Sequence, residues 1–364
     1  MGDLKSERIL SIDAARGFDM FRIIGGGELV TRLAAVIDPA AGAFCKTQLE
    51  HVPWIGFHFI DLVMPLFIFL SGCSLPFSIA SRKRQGDSMV RIYAHTVRRL
   101  LVLWVFGMML QGRLLEYDWS RLVFYSNTLQ SIAAGTFFST IFLLHFGGRM
   151  RVCLTAACVI LFGLLLRFAP VPGFGPGVLT AEGNFAHYVD ALALRTLDAP
   201  AYTWVLSTLG FVATAMLGTF AGDILRSGWT KARVAIALFA VGVALTLAGW
   251  AGGHLIPIIK HIWNETFVLY SGGLSFLCLA VFYFLIDVLG WRRWSLPLVV
   301  IGMNAIFIYM ATHLFNFGWF SDRFVQGLKP HAETFYPLIS AAAKFAAGYA
   351  LLVWLYRRKI FFKI

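Results

Sequence analysis

The segment from Glu50 to Asp61 combines the side chain types that a proton transfer requires. Imidazoles in general change charge near neutral pH, so a histidine such as His51 is a residue type suited to act as a general base. Glu50 directly precedes it and could orient the ring, and Asp61 provides a second carboxylate. The alternative interpretation is an interfacial histidine that hydrogen-bonds only to water. His58 and Asp61 are three residues apart, but a metal centre needs further ligands at the same depth, and we expect none.

Polar side chains also interrupt apolar segments elsewhere. Asp13 and Arg16 lie three residues apart, on one face of a helix, which predicts either an internal ion pair or an arginine that meets an anionic ligand. Asn304 and His313 lie within a later apolar segment. A buried asparagine needs a partner, and this can be another helix or a ligand.

The composition indicates the kind of element that must position these groups. Apolar residues make up 59% of the 364 residues and charged residues 14%, well below the roughly 25% of soluble domains. This excludes a cytosolic globular enzyme, a secreted disulfide scaffold and a disordered chain, and it favours a polytopic membrane protein. The five cysteines form no CxxC pair. The net charge of +12 does not indicate nucleic acid, because the basic residues lie in short loops.

Segments of about 20 mostly apolar residues predict membrane-spanning helices. The sequence contains ten of them and therefore predicts an all-α bundle of about ten transmembrane helices: residues 11–37, 55–80, 93–112, 126–146, 151–169, 204–225, 232–253, 265–289, 295–317 and 335–356.

The loop charges give an orientation to this arrangement. With ten spans and an inner N-terminus, 19 Lys and Arg residues fall on inner segments and 8 on outer segments. Because cytoplasmic loops are enriched in positive charge, we expect both termini in the cytoplasm. The N-terminal sequence resembles no signal peptide. The basic cluster from Arg82 to Arg99 marks an inner face and could also attract a phosphorylated ligand.

Two long outer loops and a glycine triplet stand out from the spans. The loops cover residues 38–54 and 170–203, and the second contains a Gly/Pro-rich stretch, Val171 to Gly177, that cannot be helical. The triplet Gly25 to Gly27 predicts either a close helix approach or a break in the first span. We find no linker or tandem repeat, so we expect one domain over residues 1–364.

Several motifs of this sequence strongly resemble those of the heparan-α-glucosaminide N-acetyltransferase family, and they occur in order along the chain. They are Ser11 to Gly17, His51 to Gly56, Asp61 to Ser74, Leu217-Gly218 with Ala221-Gly222, Lys260 with Trp263, Gly302 to Asn304, and the tail from Leu355 to Ile364. Among bacterial members, the chain is most similar to the NagX-like proteins associated with N-acetylglucosamine use.

The resemblance implies a transmembrane acetyltransferase, homodimeric and located in the bacterial inner membrane. Acetyl-CoA would enter from the cytoplasm, and the acetyl group would pass to the amine of glucosamine or a short amino sugar on the other side. The family's catalytic histidine precedes Trp-x-Gly by three residues, which is His51 here. The family's Gln-Arg in the fourth span reads Gln130-Ser131, and an asparagine before the glycine triplet is replaced by Ile23.

Together these arguments assign candidate roles. The catalytic candidates are His51 and Asp61, and those for the acceptor are Glu50, Trp54, Lys260 and Asn304. Those for acetyl-CoA are Arg16, Arg98, Arg99, Gln130 and His313, since phosphates recruit arginine well. Two alternatives remain open: an O-acetyltransferase of an exported glycan, and an amino-sugar transporter. We see no inverted repeat of the kind many transporters have.

Overall fold

The computed structural model describes residues 9–194 and 202–362, and all regular elements in these ranges are helices. They are α1 (Leu10–Phe21), α2 (Gly27–Ile37), α3 (Pro39–Gln48), α4 (Val63–Arg84), α5 (Met89–Leu110), α6 (Thr128–His145), α7 (Gly148–Phe168), α8 (Phe185–Leu194), α9 (Thr208–Leu225), α10 (Lys231–Gly253), α11 (Glu265–Tyr283), α12 (Leu296–Gly302), α13 (Ala305–Leu314), α14 (Phe317–Val325) and α15 (Tyr336–Arg357). Short 3₁₀ and π segments join some of them.

The described chain divides into two compact units. The first unit comprises residues 9–51, 231–235 and 278–362, and the second comprises residues 52–194, 202–230 and 236–277. Each unit is described by itself.

The helices of the second unit alternate in direction. At one end, called the loop end here, lie residues 52–62, 111–127, 169–184, 202–207 and 254–264. These loops contact one another: the indole Nε1–H of Trp54 donates to the Leu179 carbonyl at 2.8 Å. At the opposite end, the Tyr93 hydroxyl and His145 Nε2 are 2.6 Å apart, which joins the start of α5 to the end of α6.

Close backbone contact between α4 and α9 forms the centre of this unit. A Cβ atom added at Gly72 would collide with the Ala215 carbonyl, and one added at Gly218 would collide with the Phe69 carbonyl. Without a driving force from water, helices in a membrane associate through such small residues, which let the backbones approach.

In the first unit, α1 and α2 are separated by a π-helical segment, Arg22–Gly26. Gly25 within it has φ of +105°, which a side chain would strain, so the predicted break at the glycine triplet is confirmed. Helix α12 packs closely on α1: a Cβ atom at Gly302 would collide with the Asp13 carbonyl, and one at Gly17 with the Leu298 carbonyl.

The described helices agree with the prediction of a helical membrane bundle. Seven are long and apolar enough to cross a membrane: Phe59–Arg84, Thr128–His145, Gly148–Phe168, Thr208–Leu225, Lys231–Gly253, Glu265–Val288 and Tyr336–Arg357. The pair Arg293–Gly302 and Ala305–Leu314, bent by 61°, would make eight. These bounds lie within about four residues of the corresponding predicted spans. The number ten and the side on which the termini lie stay predictions.

The differences between expectation and structure are local. The two long loops each contain a short helix, α3 and α8, that the sequence analysis did not predict. The Asp38 carboxylate caps α3, accepting from the backbone N–H groups of Ala40 and Ala41, and Pro39 follows it at the first helical position. This Asp-Pro pair was the available signal, since both residues favour helix starts. Val171 to Gly177 is non-helical, as predicted.

Candidate functional site

A buried ion pair lies at the loop end of the second unit. Lys260 Nζ is 3.2 Å from Asp61 Oδ1, and the side chains are only 4% and 0% exposed. Asp61 Oδ2 accepts a hydrogen bond from the backbone N–H of His58 at 2.9 Å. The predicted span 55–80 puts Asp61 about one and a half turns inside a helix, whereas it lies in the 3₁₀ turn Phe59–Leu62 that precedes α4. The pair therefore ties the start of α4 to the loop between α10 and α11.

A row of three packed rings extends from this ion pair. Lys260 Nζ lies 5.8 Å from the centre of the Tyr202 ring, a cation–π geometry. Tyr202 packs against His261 with ring centres 4.5 Å apart, and His261 stacks on Trp54 at 5.1 Å. Burial and, second, the charge of Asp61 raise the pKa of Tyr202 to about 12, so its hydroxyl stays protonated.

Sequence reasoning missed Tyr202 and His261. Tyr202 lies 58 residues before Lys260 and in no motif, so no local signal pointed to it. His261 follows Lys260 directly, and that adjacency was the signal available.

Asn264 fixes the loop that carries Lys260. Its side chain oxygen accepts from the backbone N–H groups of Ile259 and Phe267, and its amide nitrogen donates to the Pro257 carbonyl at 2.7 Å. These bonds give hydrogen-bond partners to backbone groups at the start of α11 and to backbone groups of the preceding loop. The loop position of Lys260 is thus set by a local network.

His51 and Glu50 belong to the first unit and follow α3. Both side chains are exposed. Glu50 forms an ion pair with Lys46 at 3.8 Å, in which both side chains are more than 60% exposed. Trp54, three residues later in the chain, belongs to the second unit.

The polar residues of α1 and of the α12–α13 break lie on neighbouring helices of the first unit. Arg16 pairs with Asp13 at 3.6 Å, as the spacing predicted. Asn304 lies at the break, where its amide nitrogen donates to the Ile360 carbonyl and its oxygen accepts from the Phe362 N–H. Its side chain thus anchors the segment after α15.

The other residues assigned to acetyl-CoA occupy three separate places. His313 is exposed near the end of α13, with Nδ1 2.8 Å from the Tyr309 carbonyl. Gln130 is fully buried at the start of α6, where its oxygen accepts from the backbone N–H groups of Ser126 and Asn127. Its nitrogen donates to the Phe124 carbonyl at 2.7 Å.

Arg98 and Arg99 lie on α5, nearer the opposite end of the second unit. Together with Arg82 they are close enough to act electrostatically on the His95 imidazole, so several positive charges gather there. Such a cluster attracts phosphate groups. The structure brings Asp61, Lys260 and Trp54 together at the loop end, and it places this cluster away from them.

Comparison with known proteins supports the family resemblance. The chain is 26% identical to heparan-alpha-glucosaminide N-acetyltransferase from Homo sapiens over 423 aligned residues, covering 98% of the chain and 60% of that protein. It is 25% identical to the protein of the same name from Mus musculus, covering 86% of the chain and 56% of the relative. The chain thus spans little more than half the length of these relatives. No protein-family model matches it.

Proposed function

We propose that this chain is a member of the heparan-alpha-glucosaminide N-acetyltransferase family, and that it is a membrane-embedded acetyltransferase that uses acetyl-CoA to acetylate the amine of glucosamine or a short amino sugar. The observation that carries the proposal is the extent of the similarity, which covers 98% of the chain, including the segment with His51. The seven long apolar helices among the described residues fit a membrane-embedded enzyme.

The chemistry assigns a role to His51. A thioester is already activated, so the enzyme must make the amine neutral, hold it near the carbonyl carbon and stabilise the developing oxyanion. His51 is exposed and takes the proton of the sugar ammonium, while Glu50 beside it attracts that cation. The amine then attacks the acetyl carbon.

The loop end of the second unit supplies the acceptor contacts in this proposal. Trp54 packs against the apolar side of the sugar ring, and its indole is held by Leu179 and His261. Asp61 is fully buried, so its role in this proposal is indirect: it holds the ammonium group of Lys260 in place. Asn304 is given no acceptor contact in this proposal, because it is 1% exposed and its amide is bonded to the backbone of Ile360 and Phe362.

The donor binds through positive charge. Arg98 and Arg99 are the phosphate contacts of the second unit and Arg16 that of the first, and each charge-assisted bond contributes about 1.5–3 kcal/mol. His313 completes the proposed set. Gln130 is left out of it, because it is fully buried and its amide is bonded to the backbone of Ser126, Asn127 and Phe124. In this proposal the arginine cluster faces the cytoplasm across the inner membrane, where acetyl-CoA is available; the charge asymmetry of the loops supports this orientation.

The test uses the purified protein in nanodiscs with acetyl-CoA and glucosamine, and follows release of the CoA thiol. His51→Ala should lower the rate about 10²–10⁴-fold, because it removes the general base, while acetyl-CoA affinity stays near the wild-type value. The matched control is His331→Ala, another exposed histidine of the first unit, which should leave the rate unchanged. A His51→Ala variant with more than a tenth of the wild-type rate would exclude an essential base.

The same assay separates amine from hydroxyl acceptors. Glucose differs from glucosamine by a hydroxyl in place of the amine, and a hydroxyl is hardly deprotonated by an imidazole, so transfer to glucose should be very slow. Equal rates for both sugars would favour O-acetylation, and no thiol release at all would favour transport.

A further inference from the structure

Helix α1 contains a buried carboxyl group that the proposed mechanism does not use. Asp19 is 3% exposed, and neither of its carboxyl oxygens has a hydrogen-bond partner. Asp13, six residues earlier on the same helix, is ion-paired with Arg16. Of these two buried aspartates of α1, only one is therefore neutralised by a basic side chain.

The burial of Asp19 makes this costly for a charged group. Asp19 belongs to the buried face of α1, and both of its carboxyl oxygens are sealed from solvent. An ionised carboxylate without partners is strongly disfavoured in such surroundings, and a carboxyl group there avoids the cost by keeping its proton.

A second feature next to Asp19 points to a functional segment. The π-helical turn Arg22–Gly26 begins three residues later and contains Gly25 in a non-helical conformation. Such π segments within helices occur frequently at functional sites. The carboxyl group thus lies directly before a distortion of the helix that carries it.

The titratable groups around Asp19 come from several elements. Arg22 acts on it electrostatically without a hydrogen bond, and Cys278 on α11 lies close enough to be affected by its charge. The other titratable groups on α1 and on the adjacent parts of the elements packed against it are Asp13, Arg16, Tyr283, Asp287, Tyr309 and His313. Helix α12 contributes none.

We propose that Asp19 holds a proton in the resting protein and gives it up during acetyl transfer, when the thiolate of CoA leaves. This rests on the proposed function. The nitrogen of the amine forms a bond to the acetyl carbon, and the carbon–sulfur bond breaks with its electron pair on sulfur. The sulfur takes the proton of Asp19 to give the thiol, and the Asp19 carboxylate regains a proton from solvent. His51 passes the first proton of the sugar ammonium to solvent before the attack, and it then takes the second proton, which the nitrogen loses as the amide forms.

The first test concerns only the proton and uses dicyclohexylcarbodiimide on the whole protein in nanodiscs. This apolar reagent takes the proton of a carboxylic acid, adds the carboxylate at its central carbon and rearranges to a stable N-acylurea, whereas an ion-paired carboxylate does not start the reaction. Trypsin then provides matched controls. Asp13, Asp19 and Glu28 fall on three consecutive peptides, residues 9–16, 17–22 and 23–32.

We expect the adduct on peptide 17–22 and not on its neighbours, because Asp13 pairs with Arg16 and Glu28 with Lys344 at 3.1 Å. Asp19→Asn should abolish it. An infrared difference spectrum between the wild-type protein and Asp19→Asn at pH 7 should contain the C=O stretch of a protonated carboxylic acid. A spectrum without that band overturns the proposal, whether or not the reagent reaches the site.

The second test concerns turnover. Asp19→Asn should slow thiol release about a hundredfold, and Asp19→Glu should restore part of the rate. The wild-type rate should fall at alkaline pH as Asp19 loses its proton, and the Asn variant should lack that fall. If the adduct and the infrared band appear but the two rates are equal, Asp19 takes no part in turnover and the proposal fails. If no variant or wild type releases thiol, the proposed function fails, while the protonation result stands by itself.

Discussion

At the residue scale, the buried Lys260–Asp61 pair dominates the loop end of the second unit. Two opposite charges that are this deeply buried lose their hydration free energy. Only the attraction between them offsets this loss, so both charges must be present. The pair is therefore a point of specificity: it fixes which loop meets the start of α4. Tyr202 over the ammonium extends this fixed arrangement to a neighbouring loop.

Removal of one partner should destabilise the protein strongly. Asp61→Asn takes away the carboxylate that neutralises a 4% exposed ammonium, and this should lower the free energy of unfolding by about 3–5 kcal/mol, measured as thermal stability in detergent. The control is Glu50→Gln, which breaks the exposed pair with Lys46 and should cost about 1 kcal/mol or less. The double variant with Lys260→Met should recover most of the loss. If Asp61→Asn and Glu50→Gln lower the free energy of unfolding equally, burial does not make the Lys260–Asp61 pair special.

At the element scale, the short helix α8 holds the loop after it through a single carboxylate. Asp190 accepts from the backbone N–H groups of Trp204 and Val205 at 2.7 and 2.9 Å, and it is 5% exposed. Burial raises the pKa of Asp190 to about 6, and the two backbone hydrogen bonds oppose that rise only in part. This contact thus joins α8 to the segment that contains Tyr202.

The segment should detach more easily as the pH rises. Because the pKa of Asp190 is about 6 in the folded protein and 3.8 ordinarily, the closed state binds more protons than the opened state between these values. The additional stability of the closed state, in which Asp190 holds the segment, is fully present below pH 3.8 and is lost as the pH rises to about 6. Hydrogen exchange at Trp204 and Val205, corrected for the intrinsic rate, should show protection that falls over this range and then levels off.

Asp190→Asn is the control for this prediction. It keeps one acceptor without a titratable group, so the protection of the two backbone N–H groups should no longer vary with pH in that range. Protection in the wild-type protein that increases with pH would mean that the hydrogen bonds to the carboxylate outweigh its burial.

At the scale of the whole molecule, the basic residues are distributed unequally between the two ends of the second unit, whose helices alternate in direction. This distribution supports the orientation in the membrane that the loop charges predict. The end with few loop cations contains Lys260, and the opposite end contains the arginine cluster around His95. Helix α5 is not among the seven long apolar helices, because its basic residues lower its hydropathy, yet its ends contact both ends of α6. It therefore crosses the same distance as α6.

Labelling with a membrane-impermeant maleimide tests this orientation. Single cysteines at Arg84→Cys and Leu255→Cys, in a chain without its native cysteines, lie at opposite ends of the second unit, and Leu255 is 85% exposed. If the basic end faces the cytoplasm, as the loop charges predict, only Leu255→Cys should react in right-side-out vesicles and only Arg84→Cys in inverted vesicles. Reaction of both from one side would contradict the alternation of helices.

The sequence by itself determined the class of the protein and most helix bounds. The thickness of a bilayer requires about 20 apolar residues per crossing, so local hydropathy is sufficient to locate such helices. Local spacing also determined the Asp13–Arg16 pair and the break at Gly25, because residues three apart and glycine triplets act within one helix. The resemblance points to His51 through an equally short motif, and its catalytic role stays a prediction.

Only the tertiary structure decided how distant segments combine. Asp61 and Lys260 are 199 residues apart, and neither hydropathy nor spacing indicates which buried carboxylate meets which lysine. The same holds for Tyr202 over Lys260 and for the absence of a partner at Asp19 among the described residues. Side chains of one sequence can satisfy a buried charge in many ways, and the packing of helices selects one of them.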